Sequence, residues 1–441
     1  MFLPSIRVFY NIEKIIATKK NIRTNIYKKI ELLKNLKLGL ILEKCIEIYY
    51  KTYQFLENKH ISRIYSIYFL SWSLAMEKIK VGVLGATGMV GQRYIKLLEN
   101  HPWFEVTYVA ASPRSAGKKY KDAVSSRWLI GSDIPAGVAD LIVEDANDEK
   151  KAVGKCKFVF SALEMGKDEI KALEAAYAAQ GLPVVSNASA NRWTEDVPML
   201  IPEINFNHLD VIADQKKHNG WEKGFIAVKP NCSLQTYMMP IFALQQAGYP
   251  IKRMIVTTLQ ATSGAGYPGV ASFDMIDNIV PYIGGEEEKT EKECLKILGA
   301  VKDGKIENAA GPIVSSTCTR VPVIDGHTAC VSLEFDLPED KKPSLEEIEK
   351  VWTAFTSLPQ ELELPSAPVH PIVVRHEENR PQPRRDRETE KGMACVIGRL
   401  RPCNVFDVKF VALSHNTKRG AAMGGILNAE LLKAKGFFDN L

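Results

Sequence analysis

Cys232 lies in the stretch KPNCSLQT (residues 229–236), after the turn-forming pair Pro230-Asn231 and ahead of an apolar run reaching Met239. The pattern predicts a helix opening at Ser233, with the thiol at its N-terminus. Unpaired N–H groups and the macrodipole there favour a thiolate, which is a nucleophile near neutral pH. A free cysteine is more often an inert core residue, so this reading requires partners. Two candidates stand further along the chain. Arg320 and His327 are seven residues apart, on a strand and its glycine-containing turn, with Asp325-Gly326 just before the histidine. A histidine beside a cysteine can move protons, and an arginine can grip a carboxylate through two parallel hydrogen bonds.

Those residues need a scaffold, and its first part is legible in KIKVGVLGATGMVGQRYIKLLENHP. A buried strand (79–84) runs into a glycine turn and a helix ending near Asn100, before Pro102. Gly85, Gly88 and Gly91 form G-x-x-G-x-x-G between strand and helix, a variant of the fingerprint that lets backbone approach a pyrophosphate. The next strand, FEVTYVAAS (104–112), ends about 20 residues past the glycines, where an NAD site carries an acid for the ribose hydroxyl. Here the chain reads Ser112-Pro113-Arg114-Ser115, then Lys118 and Lys119, which suits a 2′-phosphate and predicts NADP. KFVFSAL (157–163), a helix over 167–180 and LPVVSNAS (182–189) continue a βα alternation, the pattern of a doubly wound parallel sheet. Downstream, RMIVTTLQATSGAG (253–266), STCTRVPVIDGHTACVSLEF (316–335) and KGMACVIGRLRPCNVFDVKFVAL (391–413) predict a mixed or antiparallel sheet in a second domain.

Composition narrows the class. A chain of 441 residues with 46% hydrophobic and 25% charged residues is ordinary globular protein, long enough for two domains. Of its 57 Lys and Arg, 13 fall in residues 1–75 against 5 Glu, which leaves 44 basic and 47 acidic side chains in residues 76–441. The main body thus has no bulk electrostatic reason to bind nucleic acid or a membrane surface. No run of 18 uncharged apolar residues suggests a membrane span, and no secretory signal pattern opens the chain. Met76, just before the first patterned strand, is the expected working start. The eight cysteines (45, 156, 232, 294, 318, 330, 395, 403) show no C-x-x-C pair and the histidines no i, i+4 pair, so neither a disulfide framework nor a metal is expected. A reducing cytoplasm fits. The helix EEEKTEKECLKILG (286–299) places Glu293 and Lys296 on one face, and NRPQPRRDRETEKG (379–392) reads as a connecting or interface arm.

GATGMVG, SPRS, SNASANRW, PNCS, LQATSGAG, the run from Arg320 to His327, E-x-x-K-I-L and SHNTKRGAAMGG occur in that order from about residue 78 to 437. With them the chain resembles the aspartate-β-semialdehyde dehydrogenase family, in particular its archaeal and fungal-like branch. The resemblance implies a Rossmann-type domain of residues 76–230 and 405–441, discontinuous because the C-terminal helix returns to it, and an α+β catalytic and dimerisation domain of residues 231–404 with a mixed sheet. Residues 1–75 lie outside it. It implies that Cys232 forms an acyl thioester, that His327 is the acid/base and that Gln260 orients the substrate. Arg320 would hold the substrate carboxylate and Glu293 its ammonium; Lys296, Arg192 and Asn191 would contact the phosphate. NADP would be held by Gly85, Thr87, Gly88, Met89, Val90, Gly91, Ser112, Arg114, Ser115, Ser161, Ser263, Gly264 and Asn416. The implied reaction is reduction of L-aspartyl-4-phosphate to L-aspartate-4-semialdehyde, on the route to lysine (through diaminopimelate), methionine and threonine, by a homodimer or homotetramer acting on a small-molecule substrate. Two rivals remain. A paralogous malonyl-CoA reductase would use the same cysteine but has no use for a carboxylate facing an ammonium. A non-catalytic nucleotide-binding protein has no use for the set Cys232, Gln260, Arg320 and His327. A reading of Asn231-Cys232-Ser233 as a glycosylation acceptor fails with the missing signal peptide.

Overall fold

The computed structural model describes residues 77–441, so the expectation that Met76 is the working start lies outside the described residues. The first sheet contains β1 (Ile79–Leu84), β2 (Phe104–Ala111), β3 (Val143–Asp145), β4 (Phe158–Ser161), β5 (Val184–Ser186) and β6 (Ile226–Val228). All are parallel, in the order β3-β2-β1-β4-β5-β6, the doubly wound arrangement in which ligands lie beyond the strand C-termini. β3 and β6 are three-residue strands too short to announce themselves in the sequence. Helices α1 (Met89–Leu97) and α2 (Lys167–Ala179) follow β1 and β4. Gly85 must be glycine: its φ is +72°, and a Cβ there would meet Ala162 O at 2.3 Å.

After Cys232 come α3 (Met238–Gln246), β7 (Ile251–Gln260), α4 (Glu286–Ile297), a small hairpin of β8 (Ala300–Lys302) and β9 (Lys305–Glu307), β10 (Ile313–Arg320), β11 (His327–Phe335), α5 (Leu345–Ala354), β12 (Ile372–Arg375), β13 (Cys395–Pro402) and β14 (Val408–Ser414). The second sheet runs β10-β7-β11-β14-β13-β12 and is mixed: β10 with β7 and β12 with β13 are parallel, the other pairs antiparallel. The stretch 316–335 is therefore two strands, and they flank β7 instead of pairing with each other. α4 covers the edge strand β10, where Glu291 accepts from the Ser316 N–H and Glu287 from the Cys318 N–H, both at 3.1 Å.

The C-terminal helix α6 (Met423–Ala434) buries Ile426, Leu427 and Leu431 with Val81, Tyr94, Ile95 and Phe158 of the first sheet and α1. Gly425 permits that approach, since a Cβ there would lie 1.9 Å from the Tyr94 hydroxyl. The expected return at residue 405 needs correction. β14 sits inside the second sheet between β11 and β13, so the chain rejoins the first sheet only after Ser414. Among the described residues no helix is long and apolar enough to cross a membrane.

Candidate active site

Two sheet ends build the site. The chain leaves β6 through Lys229-Pro230-Asn231 and reaches Cys232, beyond a strand C-terminus of the first sheet. In the second sheet the parallel register sets Arg320, the last residue of β10, beside Gln260, the last of β7. β11 is antiparallel to β7 with Thr328 opposite Leu259, so His327 falls at that same end. The structure thus joins four residues that the sequence scatters over 96 positions. His327 Nε2 is 3.3 Å from Cys232 Sγ, and Gln260, Arg320 and His327 are 1%, 5% and 0% exposed.

The expected helix N-terminus at the thiol needs correction. Asn231 Oδ1 accepts from both the N–H and the hydroxyl of Ser233 at 2.8 Å, closing a turn that continues into a 3-10 helix at Leu234–Thr236; α3 begins only at Met238. The α-helical dipole is therefore displaced from the sulfur. Burial pushes the Cys232 thiol up, and the Glu286 carboxylate adds to this, while Lys229, Arg192 and Arg320 oppose it without prevailing. His327 is held neutral, drawn down to about 3 by burial and by the adjacent Arg320. The Ala261 N–H donates to its Nδ1 at 2.9 Å, so the proton of the neutral ring belongs on Nε2, pointing at the sulfur. His327 is accordingly a hydrogen-bond donor to Sγ; taking up the thiol proton would cost it the Ala261 bond.

The anion and cation partners differ from those expected. Lys296 Nζ donates to the carbonyls of Arg192 (2.8 Å), Thr194 (2.7 Å) and Val197 (3.0 Å), which occupies all three ammonium protons. Arg192 gives Nη1 to Glu293 at 2.9 Å and Nε to Lys229 O at 3.0 Å. Glu293 also accepts from the Asn231 N–H at 2.7 Å. Asn191 is held by Glu174 (2.8 Å) and Thr194 (3.2 Å). These four residues fasten the floor beneath the Pro230–Cys232 corner. The group that faces the site instead is Glu286, paired with Lys289, and sequence reasoning passed over both. Glu286 accepts from Asn231 Nδ2 (2.9 Å to each oxygen), Gln260 Nε2 (3.1 Å) and Lys289 Nζ (2.7 Å). Burial would raise its carboxyl, but Lys289, Gln260 and Asn231 together hold it below the usual range. Arg320 spends Nη1 on Ala261 O at 2.8 Å.

The glycine turn fits a dinucleotide. Gly88 caps α1 without a side-chain hydrogen bond, leaving the first-turn N–H groups of Met89, Val90 and Gly91 free to meet a phosphate. Gly91 allows the helix to abut the turn, since a Cβ would come 2.2 Å from Gly85 O. Thr87 is buried beside them, and the buried Ser161 Oγ, at the end of β4, has no well-formed partner. Ser112 and Arg114 are exposed and Ser115 buried at the end of β2. Arg127, absent from the sequence reading, reaches Ser115 Oγ at 3.4 Å, whereas Lys119 is paired with Asp140 at 3.0 Å. Asn416 donates to Ser263 Oγ at 2.8 Å and accepts from the Gly326 N–H at 2.8 Å, tying together the turns on either side of His327. Gly264 lies flush on that pair: a Cβ would be 2.7 Å from Arg320 Nη1 and 3.0 Å from the His327 ring. The arm at 379–392 braces the turn before His327, with Arg387 Nη1 donating to Asp325 O at 3.1 Å.

A doubly wound nucleotide domain, a mixed-sheet second domain and a cysteine facing a histidine where the two sheets meet are the features of a two-domain nicotinamide-dependent dehydrogenase. Residues 80–212 match the family model described as the semialdehyde dehydrogenase NAD-binding domain, and 241–419 the one described as the semialdehyde dehydrogenase dimerisation domain. An aspartate-semialdehyde dehydrogenase of Cryptococcus neoformans is 46% identical over 366 residues, 82% of this chain and 99% of the relative. One from Methanothermobacter thermautotrophicus is 47% identical over 356 residues, 80% of this chain and 99% of the relative. The crystal structure of aspartate semialdehyde dehydrogenase with NADP from Candida albicans matches with a TM-score of 0.73 at 41% identity, covering 82% of this chain and 100% of that one. A Vibrio cholerae structure 24% identical shares the fold, with a TM-score of 0.61 over 81% of this chain and 98% of that one. The chain belongs to the aspartate-semialdehyde dehydrogenase family.

Proposed function

We propose that this protein reduces L-aspartyl-4-phosphate to L-aspartate-4-semialdehyde with NADPH, releasing phosphate through a thioester on Cys232. The observation that carries the reading is the 3.3 Å approach of His327 Nε2 to Cys232 Sγ, at the sheet end where Gln260 lies beside Arg320 and bonds the Glu286 carboxylate. The thiolate attacks the acyl phosphate carbon, the C–S bond forms and the C–O bond to phosphate breaks. Lys289 is the lysine on the site-facing turn of α4 and serves the leaving phosphate, while Arg320 takes the α-carboxylate and Glu286 the ammonium. The first-turn amides of α1, with Thr87, Ser112, Arg114, Ser115 and Arg127, would hold NADPH, whose chemistry when bound would be to give a hydride to the thioester carbon. The resulting oxyanion collapses, the C–S bond breaks, and the Nε2–H of His327 donates to the departing sulfur.

Glu286 argues against the malonyl-CoA alternative, because a malonyl group offers no ammonium to a buried carboxylate. A homo-oligomer, dimer or tetramer, is supported by the dimerisation-domain match and by exposed Ile255 and Ile313 on neighbouring strands of the second sheet, with Phe273, Ile276 and Tyr282 nearby in sequence. A cytoplasmic setting suits reduced thiols and this biosynthetic substrate. The test is phosphate-dependent NADP reduction, comparing aspartate semialdehyde with malonate semialdehyde plus CoA, in wild type and Cys232→Ala. Turnover only with aspartate semialdehyde, lost in the variant, is expected; equal turnover with malonate semialdehyde and CoA overturns the reading.

A further inference from the structure

Lys229 is a buried cation for which the reaction above has no task. It follows β6 three residues before Cys232 and is 1% exposed. Its Nζ donates to Pro230 O at 2.8 Å, the carbonyl two residues ahead of the nucleophile. Its stem lies on the segment that also supports the sulfur: a Cβ on Gly424 would come 3.2 Å from Lys229 Cδ, and one on Gly420 would come 2.8 Å from Cys232 Cβ. Among the described residues no carboxylate is within ion-pair distance of Nζ. Glu293 is taken by Arg192 and the Asn231 amide, and Glu203 by Arg419. A buried ammonium without a carboxylate needs another anion.

Cys232 is the anion at hand. The usual imidazolium partner is missing, because Ala261 holds His327 as the Nε2–H neutral ring, and the α-helical dipole begins only at Met238. The charges acting on the sulfur are Glu286, which disfavours a thiolate, and Lys229, Arg192 and Arg320, which favour one. Arg192 is paired with Glu293, and Arg320 is assigned to the substrate. We propose that Lys229 is a positioning residue of the nucleophile, its ammonium being the resident counter-charge that stabilises the Cys232 thiolate. Cys232 is partly exposed, so ionisation releases the Sγ proton to solvent, and the ammonium already held on Nζ balances the charge left on the sulfur. The reciprocal effect agrees. Burial draws Lys229 down to about 7, and of the charges around it Cys232 opposes this most, ahead of Glu293, with Arg192 and Arg419 acting the other way.

The inference rests on Cys232 being the nucleophile, so its test reads the thiol without substrate. The rate of Cys232 alkylation by iodoacetamide is followed against pH by peptide mass spectrometry in the full chain, which keeps the other cysteines separate. Wild type is compared with Lys229→Met and Lys229→Arg. In Lys229→Met the midpoint should rise by about one pH unit or more and the rate at pH 7 fall about tenfold, while the high-pH limiting rate is kept. Lys229→Arg, which keeps the charge, should not raise the midpoint. An unchanged midpoint in Lys229→Met with wild-type circular dichroism overturns the proposal. Should that variant fail to fold, a raised midpoint in folded Lys229→Arg overturns it and a retained or lowered one supports it. A Cys232 inert in the wild type at every pH would sink the nucleophile reading itself; a reactive Cys232 indifferent to residue 229 sinks only this one.

Discussion

Replacing Glu286 by glutamine should move substrate binding and thiol reactivity in opposite directions. The carboxylate is the proposed partner of the substrate ammonium, and a hydrogen bond to a charged group contributes about 1.5–3 kcal/mol, so kcat/KM for the aspartyl substrate should fall about 10- to 150-fold. The same carboxylate opposes ionisation of Cys232, so its removal should make the free thiol alkylate faster at pH 7. The comparison is Glu293→Gln, at the residue first expected to hold the ammonium. Glu293 is 0% exposed and bound to Arg192 and the Asn231 amide, and breaking a buried pair costs about 3–5 kcal/mol, so that variant should lose thermal stability. Steady-state kinetics with aspartate semialdehyde, alkylation rates and melting curves on both variants decide the matter. A Glu286→Gln enzyme with wild-type kcat/KM, beside a Glu293→Gln enzyme of unchanged melting temperature and raised KM, refutes the assignment.

Lys296→Met should act the same way as Glu293→Gln: three carbonyls lose their donor, about 3 kcal/mol of stability goes, and a phosphate KM raised without any fall in melting temperature would contradict it. Arg114→Ala should raise the KM for NADPH about tenfold and leave that for NADH unchanged, the loss of one charge-assisted contact to the 2′-phosphate; parallel changes for both cofactors would remove the basis for the NADP preference. His327, near 3 in the folded protein against about 6.5 unfolded, takes up its proton first in the unfolded chain as pH falls. Its contribution is therefore complete above about pH 6.5 and drains by up to about 1.4 kcal/mol per unit below it. Denaturant titrations at pH 7, 6 and 5 should show a shallower decline for His327→Gln, and equal slopes would count against a neutral buried ring. His208 and His415 are also held down by burial and remain in the variant, so the difference between the two slopes, not either slope alone, reports residue 327 together with the charge it shares with His415.

The nucleotide sheet was largely legible because each long strand carries its own signal: a buried apolar run, then glycines, then an amphipathic helix. What was not legible depended on long-range pairing. Nothing local in 316–335 says that its two strands lie on opposite sides of β7, yet that arrangement puts Arg320 beside Gln260 and His327 next to both. Nor does the apolar run after Cys232 reveal that Asn231 closes a turn on Ser233 and delays α3 to Met238, because side-chain to backbone bonds of this kind leave only a generic turn signal. The state of the Cys232 thiol is thus set by residues distant in sequence, Glu286, Arg320 and Arg192, and by one neighbour, Lys229, whose own pairing had to be seen.

Helix α4 shows most sharply where pattern reading stops. Glu286 and Lys289 have the three-residue spacing of Glu293 and Lys296, and each pair repeats the other after seven residues, about two turns, so both lie on nearly one stripe. Periodicity selects that stripe correctly and is blind to position along the axis, where the two pairs are about 10 Å apart. Only the register of α4 against β10, held by Glu287 on the Cys318 amide and Glu291 on the Ser316 amide, decides which pair meets Gln260 and the Asn231 side chain. The first turn reaches the site, with Glu286 bonded to Gln260 and Asn231, and the third reaches the floor, with Glu293 bonded to Arg192. A sliding of the helix by two turns would exchange the roles without altering its sequence pattern, and the charges proposed to bind substrate would become the charges that hold the fold.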